Sequence, residues 1–313
     1  MVNEASYNLS QSVSALKPKD KAPNSAHVLD VWITKAERDL NSDGGRLGWL
    51  ITSTIATAVL QQTLDGQDEP SFLLKGGSLL QHKLRAPTRA TTDIDGLIRG
   101  DIDTFLESLD ALLIQSWGPF EFKRSPIEVI NVPTKVIKPR RFRLIITLNN
   151  KTWRGVQVEL SPDEGLAGQA YERTAAPSLS GFGLPTPDFL ASLAMQYQVA
   201  QKVHASTDPH DPPEYVNDRA RDVPDLLLLR DLANETGHPD RLSIKAAVLD
   251  IFKARVDEAE TLGLTPRLWP ARLVAYPHWQ GSFDKAAQDA GLHITLEDAV
   301  AQANAWLDEI DDA

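Results

Sequence analysis

The stretch Lys75-Gly76-Gly77-Ser78, followed after one short helix by Thr91-Thr92-Asp93-Ile94-Asp95, constrains this chain more than any other. A glycine pair closing the apolar run Phe72-Leu73-Leu74 turns the chain tightly and bares backbone N–H groups and a hydroxyl that can hold phosphates. In a strand, Asp-x-Asp puts both carboxylates on one face, about 7 Å apart, because side chains alternate with period two. Two such carboxylates can share a divalent cation, and a cation beside a phosphate cradle points to phosphoryl or nucleotidyl chemistry. Asp93 and Asp95 are therefore the expected ligands of Mg²⁺ or Mn²⁺. Gly76, Gly77 and Ser78 are the expected phosphate holders, with Lys75 beside them. Without that context, the same residues would make a strand-to-helix turn with a serine cap and two solvated strand-end acids.

The surrounding pattern reads as helix, strand, helix, strand, helix and hairpin. Apolar residues recur at three- and four-residue spacing through 27–64, and 72–74 is a short buried strand. Residues 78–84 read as a helix and 93–98 as the next strand. An amphipathic helix then starts at Asp101, with Ile102, Phe105, Leu106 and Leu109 on one face. Strands at 142–148 and 155–160 are joined across Asn149-Asn150, a hairpin turn. In the second of them Val156, Val158 and Leu160 point one way, while Gln157 and Glu159 point the other. Glu159 is thus the natural third carboxylate, with Asp163 and Glu164 as nearby substitutes. The order suits a small mixed sheet with helices on one side.

The Gly/Pro-rich segment 181–187 marks a change of lobe, and Thr186-Pro187-Asp188 reads as a helix start. Helices are expected at 188–205, 218–235, 243–258 and 296–311, with Trp269, Trp279 and Trp306 packing between them. The expected organisation is an arm at 1–24, a mixed lobe at 25–180 and a mainly helical lobe at 181–313, an α+β fold. His204 and His210 lack a third ligand at helical spacing and are read as structural or solvent-facing.

The chain has 313 residues, no cysteine and a net charge of −11. Disulfides, thiolate metal sites and thiol nucleophiles are excluded. The charge argues against a non-specific DNA binder and leaves room for a local basic surface. Lys135, Lys138, Arg140, Arg141 and Arg143 supply five cations within nine residues. They read either as charges protecting a sheet edge or as a contact to triphosphate or RNA. Neither a signal core nor a membrane segment is legible, so cytoplasmic residence is expected.

The ordered pair, Gly-Gly/Ser then Asp-x-Asp, resembles the nucleotidyltransferase superfamily that includes DNA polymerase β and the CCA-adding enzymes. Further residues narrow the resemblance to the AbiEii/MenT family of bacterial toxins. Arg89-Ala90-Thr91-Thr92-Asp93-Ile94-Asp95 is similar to that family's approach to its Asp-x-Asp, which puts Thr91 near the phosphates. Residues 198–205 resemble its lysine-bearing helix, with Lys202 as the lysine. Residues 217–226 resemble its Arg-x-(Lys/Arg)-Asp-x-x-Asp-Leu segment, with Asp222 and Asp225 as the acids and Pro224 as a departure. The resemblance spans residues 70–230. It implies a polymerase β-like nucleotidyltransferase lobe followed by a mainly helical one. It also implies that Lys202 contacts a nucleoside triphosphate (NTP), and that Asp222 or Asp225 orients Lys202 or the base. Glu159 would deprotonate the incoming hydroxyl or complete a second metal site. The implied reaction adds nucleotide to the 3′ end of transfer RNA and stops translation, with a cognate antitoxin as partner. Transfer to a protein hydroxyl, on the antitoxin or the chain itself, and a catalytically silent binding role stand as alternatives.

Overall fold

The computed structural model describes residues 9–42, 45–84, 91–213 and 215–313. In chain order the elements are α1 (Leu9–Ser14), α2 (Ala26–Asp39), α3 (Arg46–Leu60), β1 (Phe72–Lys75), α4 (Gly76–Lys83), β2 (Asp93–Ile98) and α5 (Ile102–Leu112). Then come β3 (Phe120–Arg124), β4 (Glu128–Val129), β5 (Arg140–Leu148), β6 (Lys151–Pro162), β7 (Tyr171–Thr174) and β8 (Leu190–Leu193). The chain closes with α6 (Met195–Ser206), α7 (Asp222–Thr236), α8 (Arg241–Thr261), α9 (Gln280–Asp289) and α10 (Leu296–Asp311). Arg89 and Ala90 lie outside the described residues.

The eight strands among the described residues form one mixed sheet in the order β3-β5-β6-β2-β1-β8-β7, with β4 paired to β5. The crossovers make β2 parallel to β6 and β1 parallel to β8, while the other pairs are antiparallel. The hairpin between β5 and β6 turns on Asn149 and Asn150, both with positive φ, as a twist-matched two-residue turn requires. Only Leu74 and Ser192 pair in register between β1 and β8. Gln61, at the end of α3, fills the gap there: its amide donates to Phe72 O and Ala191 O and accepts from Ala191 N at 2.9 Å.

Strand alternation splits the interior into two cores. Phe72 and Leu74, Ile94 and Ile98, Phe142, Leu144 and Ile146, and Val156, Val158 and Leu160 face α2, α3 and α5 in one cluster. Leu73, Leu97, Ala191 and Leu193 face the other way and join α6, α7, α8, α9 and α10. Helices therefore cover both faces, where one was expected. Asp93 and Asp95 share the parity of Leu97, so the second, all-helical half of the chain lies over them. This follows from the period of two alone.

Within residues 9–24, Val13 is buried and Lys19 N donates to Ser180 O at 3.0 Å. The following expectations are corrected. Residues 190–193 are a fully buried strand, and the helix expected from 188 starts at Met195. The Thr186 hydroxyl does not cap that helix; it accepts from Leu179 N at 2.8 Å within its loop. The basic run does not protect an edge, because β5 lies between β3 and β6. Trp279 and Trp306 are buried in the helical core and Trp269 packs against it, as expected.

Candidate active site

A charged row crosses the sheet in register. Lys75 pairs with Asp95, Asp95 with Glu159, Glu159 with Arg141 and Arg141 with Glu128. In-register residues on neighbouring strands share a face, and their strands lie about 4.8 Å apart. Asp93 sits one step along β2 on the same face, with Gln157 as its neighbour on β6. The glycine at 76 is required twice. Its φ is +68°, and a Cβ there would fall 2.1 Å from Asp95 Oδ2. The Gly76 turn is thus what lets the Asp95 carboxylate stand at the mouth of α4.

This donor set fits a hard divalent cation of the magnesium kind, which takes one or two carboxylates and fills its remaining positions with phosphate oxygens and water. Asp93 and Asp95 could supply the pair, with the Asp95 carboxylate in the space that Gly76 leaves open. Glu159 is in register beside them, but its Oε1 accepts from Gln157 Nε2 at 3.1 Å and lies 3.7 Å from Arg141. Among the described residues no group of three acids or histidines stands ready to hold a metal. The third acid, Glu159, lies against the Arg141 guanidinium of β5.

The phosphate-holding groups expected from the turn are already engaged. Ser78 is buried and its hydroxyl donates to Asp93 O at 2.7 Å, so it anchors the start of β2. The Thr91 hydroxyl donates to the same oxygen at 3.4 Å. Gly76 N donates to Gln198 Oε1 and Gly76 O accepts from Gln198 Nε2, both at 3.2 Å. Gly77 is buried in the first turn of α4.

Opposite the row, α6 presents Gln198, Gln201 and Lys202, one face of the helix at i, i+3 and i+4. Lys202 is buried and donates to Asp222 Oδ1 at 2.6 Å and to Asp225 Oδ2 at 2.7 Å. Both aspartates are in the first turn of α7, where a carboxylate is favoured by the helix dipole. The structure thus brings Lys202, Asp222 and Asp225 into one cluster; Asp222 lines the cleft, while Asp225 is fully buried. Lys75 reaches across to Gln201 Oε1 at 3.3 Å, and burial pulls its pKa below the usual lysine value.

Between the row and α6 lies a cleft of about 630 Å³, lined among others by Lys75, Gly76, Asp95, Glu159, Gln201, Lys202 and Asp222. Its far wall holds a second ionic cluster of Lys135, Glu164, Arg255 and Glu258. Burial raises the pKa of Glu164, but the Arg255 and Lys135 charges outweigh it and hold the carboxyl below its ordinary value. The basic run is therefore divided. Lys135 is buried in this wall, Lys138 donates to the carbonyls of Val132 and Lys135, and Arg141 pairs with Glu128. His204 lines the cleft and is buried. Burial first, then the Arg267 guanidinium, push its pKa down to about 2, and its ring packs 4.8 Å from Phe252. His210 stacks on His278 at 4.1 Å.

Sequence reasoning missed Gln198, Gln201 and Arg255. Only the helical spacing of the two glutamines with Lys202 signalled them, and a polar stripe on a helix is ordinarily its solvated face. Comparison with known proteins now adds to this geometry. Residues 58–305 match the family model described as "Nucleotidyl transferase AbiEii toxin, Type IV TA system". No curated protein sequence matches. Among solved structures the chain is similar to MenT4, the nucleotidyltransferase toxin Rv2826c from Mycobacterium tuberculosis H37Rv. The identity is 15% and the TM-score 0.44, over 92% of this chain and 97% of that one.

Proposed function

From the premise that this chain belongs to the AbiEii family of nucleotidyl transferase toxins of type IV toxin–antitoxin systems, we propose that it transfers a nucleotide from an NTP to the 3′ end of transfer RNA. The observation that carries this reading is the cleft itself: a carboxylate row on one wall and the lysine of α6 on the other. The triphosphate lies along the cleft between the carboxylate row and Lys202. An acceptor hydroxyl attacks the α-phosphorus in line. A new P–O bond forms, the bond to the β-phosphate oxygen breaks, and pyrophosphate leaves. Glu159, on the row beside Asp95, takes the hydroxyl proton. Lys202, held by Asp222 and Asp225, faces the charge that develops as pyrophosphate departs. A divalent cation held by Asp93 and Asp95 would neutralise phosphate charge and acidify the attacking hydroxyl.

Modification of the acceptor end blocks aminoacylation and so translation, which an antitoxin must counter. Among the described residues no helix is long and apolar enough to cross a membrane, in keeping with a cytoplasmic site of action. The net charge of −11 favours one second reading, transfer to a protein hydroxyl, since an acidic chain repels RNA at long range.

The test is to incubate the purified protein with each α-phosphate-labelled NTP, magnesium and total transfer RNA, beside an Asp95→Asn variant. Label in an RNase-sensitive band, lost by a factor of about 10³ or more in the variant, is the expected outcome. Label on protein transfers the weight to the second reading. Full activity in a folded Asp95→Asn protein sinks the proposed site.

A further inference from the structure

Among the groups expected to meet phosphates, Gly76 N is committed to Gln198, and the Ser78 and Thr91 hydroxyls to Asp93 O. Two polar groups in the same part of the cleft have a different standing. Lys75 makes no salt bridge among the described residues, and its one hydrogen bond there is to an uncharged partner, Gln201 Oε1 at 3.3 Å. Gln201 Nε2 is buried and has no hydrogen-bond partner among the described residues. The orientation of that amide is fixed by chemistry. Lysine only donates, so the oxygen must face Lys75, and the NH₂ must face away from it.

A buried donor without an acceptor costs about 1–3 kcal/mol, and the Lys75 ammonium, which feels Glu164 and Asp95 only at a distance, has no anionic hydrogen-bond partner. Both groups line one cleft and both lack acceptor oxygens of negative charge. One ligand would satisfy the two together: a polyphosphate, whose anionic oxygens accept from an ammonium and from an amide at once. Lys202 is less suited to be the principal grip, since it already donates to two carboxylates.

We propose that the polyphosphate of the NTP is gripped across the cleft by Lys75 and Gln201, that the Ser78 and Thr91 hydroxyls hold the start of the Asp93–Asp95 strand in place, and that the Gly76 amide ties the turn to Gln198 of α6. This deepens the nucleotidyl transferase reading above and rests on it for the identity of the ligand. Gln201 and Lys75 are binding residues here, while Gln198, which pairs both ways with the Gly76 peptide, is a positioning residue.

The probe is inorganic tripolyphosphate with the full-length protein and a chelator, so that no metal contributes, measured by calorimetry. Lys75→Met and Gln201→Met are each expected to weaken binding about ten- to a hundredfold, the worth of one charge-assisted hydrogen bond. Gln201→Met removes the orphan Nε2 donor and also the Oε1 acceptor of Lys75, so its cooperative unfolding without ligand is checked first and the affinity is read only on folded protein. Gln201→Glu guards against a folding failure: it gives Lys75 an ion pair, favours the fold and repels phosphate, so it too must lose affinity. Wild-type affinity in Gln201→Met and Gln201→Glu overturns the proposal, whatever the transfer assay gives. Absence of label from every NTP in the wild type, with tripolyphosphate still bound through Lys75 and Gln201, would instead remove the transferase reading and leave the anion site standing.

Discussion

Two buried ionic clusters flank the cleft, and they are wired differently. On the α6 side the bonds converge, with the Lys202 ammonium donating to Asp222 and to Asp225. On the opposite wall they close into a ring. Lys135 meets Glu164 and, at 3.1 Å, Glu258; Arg255 meets the same two acids at 2.9 and 3.5 Å. Each charge of the ring has two opposite neighbours, so no single residue is its hub. The two also join different parts. The convergent cluster ties α6 to α7 within the helical half. The ring ties the β4–β5 loop and the end of β6 to α8, and so fastens the sheet to the helices. A hub gives a precisely held ammonium beside the reactive face. A ring gives a brace that tolerates damage.

Substitution of the two lysines breaks or upholds that distinction. Lys202→Met removes the cation to which two buried carboxylates bond and is expected to cost about 3–5 kcal/mol, as removal of one partner from a buried pair does. Lys135→Met leaves Arg255 in contact with both acids of the ring and is expected to cost about 1–2 kcal/mol. Denaturant unfolding of both variants at neutral pH measures the difference. Equal losses would mean that the wiring does not matter.

The same contrast explains what was legible in the sequence. Elements set by local chemistry could be read. Thr295 caps α10, accepting from Asp298 N at 3.1 Å, and Asp101 caps α5, accepting from Thr104 N at 2.8 Å. The alternation of Val156, Val158 and Leu160 against Gln157 and Glu159 showed which face of β6 turns to the cleft. β8 could not be read: Leu190-Ala191-Ser192-Leu193 is buried on both faces, and a short apolar run has no period to separate strand from helix. β3 left a signal that went unread, Phe120 and Phe122 alternating with Glu121 and Lys123. In the site, the glycine turn and the strand period singled out Asp93, Asp95 and Glu159, whereas Lys202, Asp222 and Asp225 were singled out by the family resemblance alone. The roles of Gln198, Gln201 and Arg255 depend on what lies opposite them in space, which no local pattern records. The engagement of Ser78 by Asp93 O was hidden for the same reason, since the sequence shows the hydroxyl but not its partner.

Acidification probes the ring at intermediate cost. The Glu164 carboxyl titrates below its ordinary value in the folded protein, so it binds fewer protons there than in the unfolded chain. Its stabilisation is complete above the unfolded pKa of about 4.3 and is lost as pH falls through the folded value. Wild-type stability is therefore expected to fall below about pH 4.3 more steeply than that of Glu164→Gln, which has nothing to titrate at that position. Parallel curves would show that the carboxylate is not held by its neighbours.

The smallest effect belongs to the exposed end of the same charged row. Arg141 Nη2 lies 2.9 Å from Glu128 Oε2, but both side chains are solvated, at 39% and 64% exposure. Water screens the attraction, and two long side chains must be ordered to hold it, so Glu128→Gln is expected to leave the unfolding midpoint nearly unchanged. Any difference should vanish in molar salt, where exposed charges are screened within a few ångströms. The ring should keep most of its contribution under the same conditions, because Lys135 and Glu164 at its centre are buried and only Arg255 and Glu258 are partly exposed. A Glu128→Gln loss as large as that of Lys135→Met would erase the distinction between enclosed and exposed charge. The contrast between ring and hub would then have to be rebuilt from packing alone.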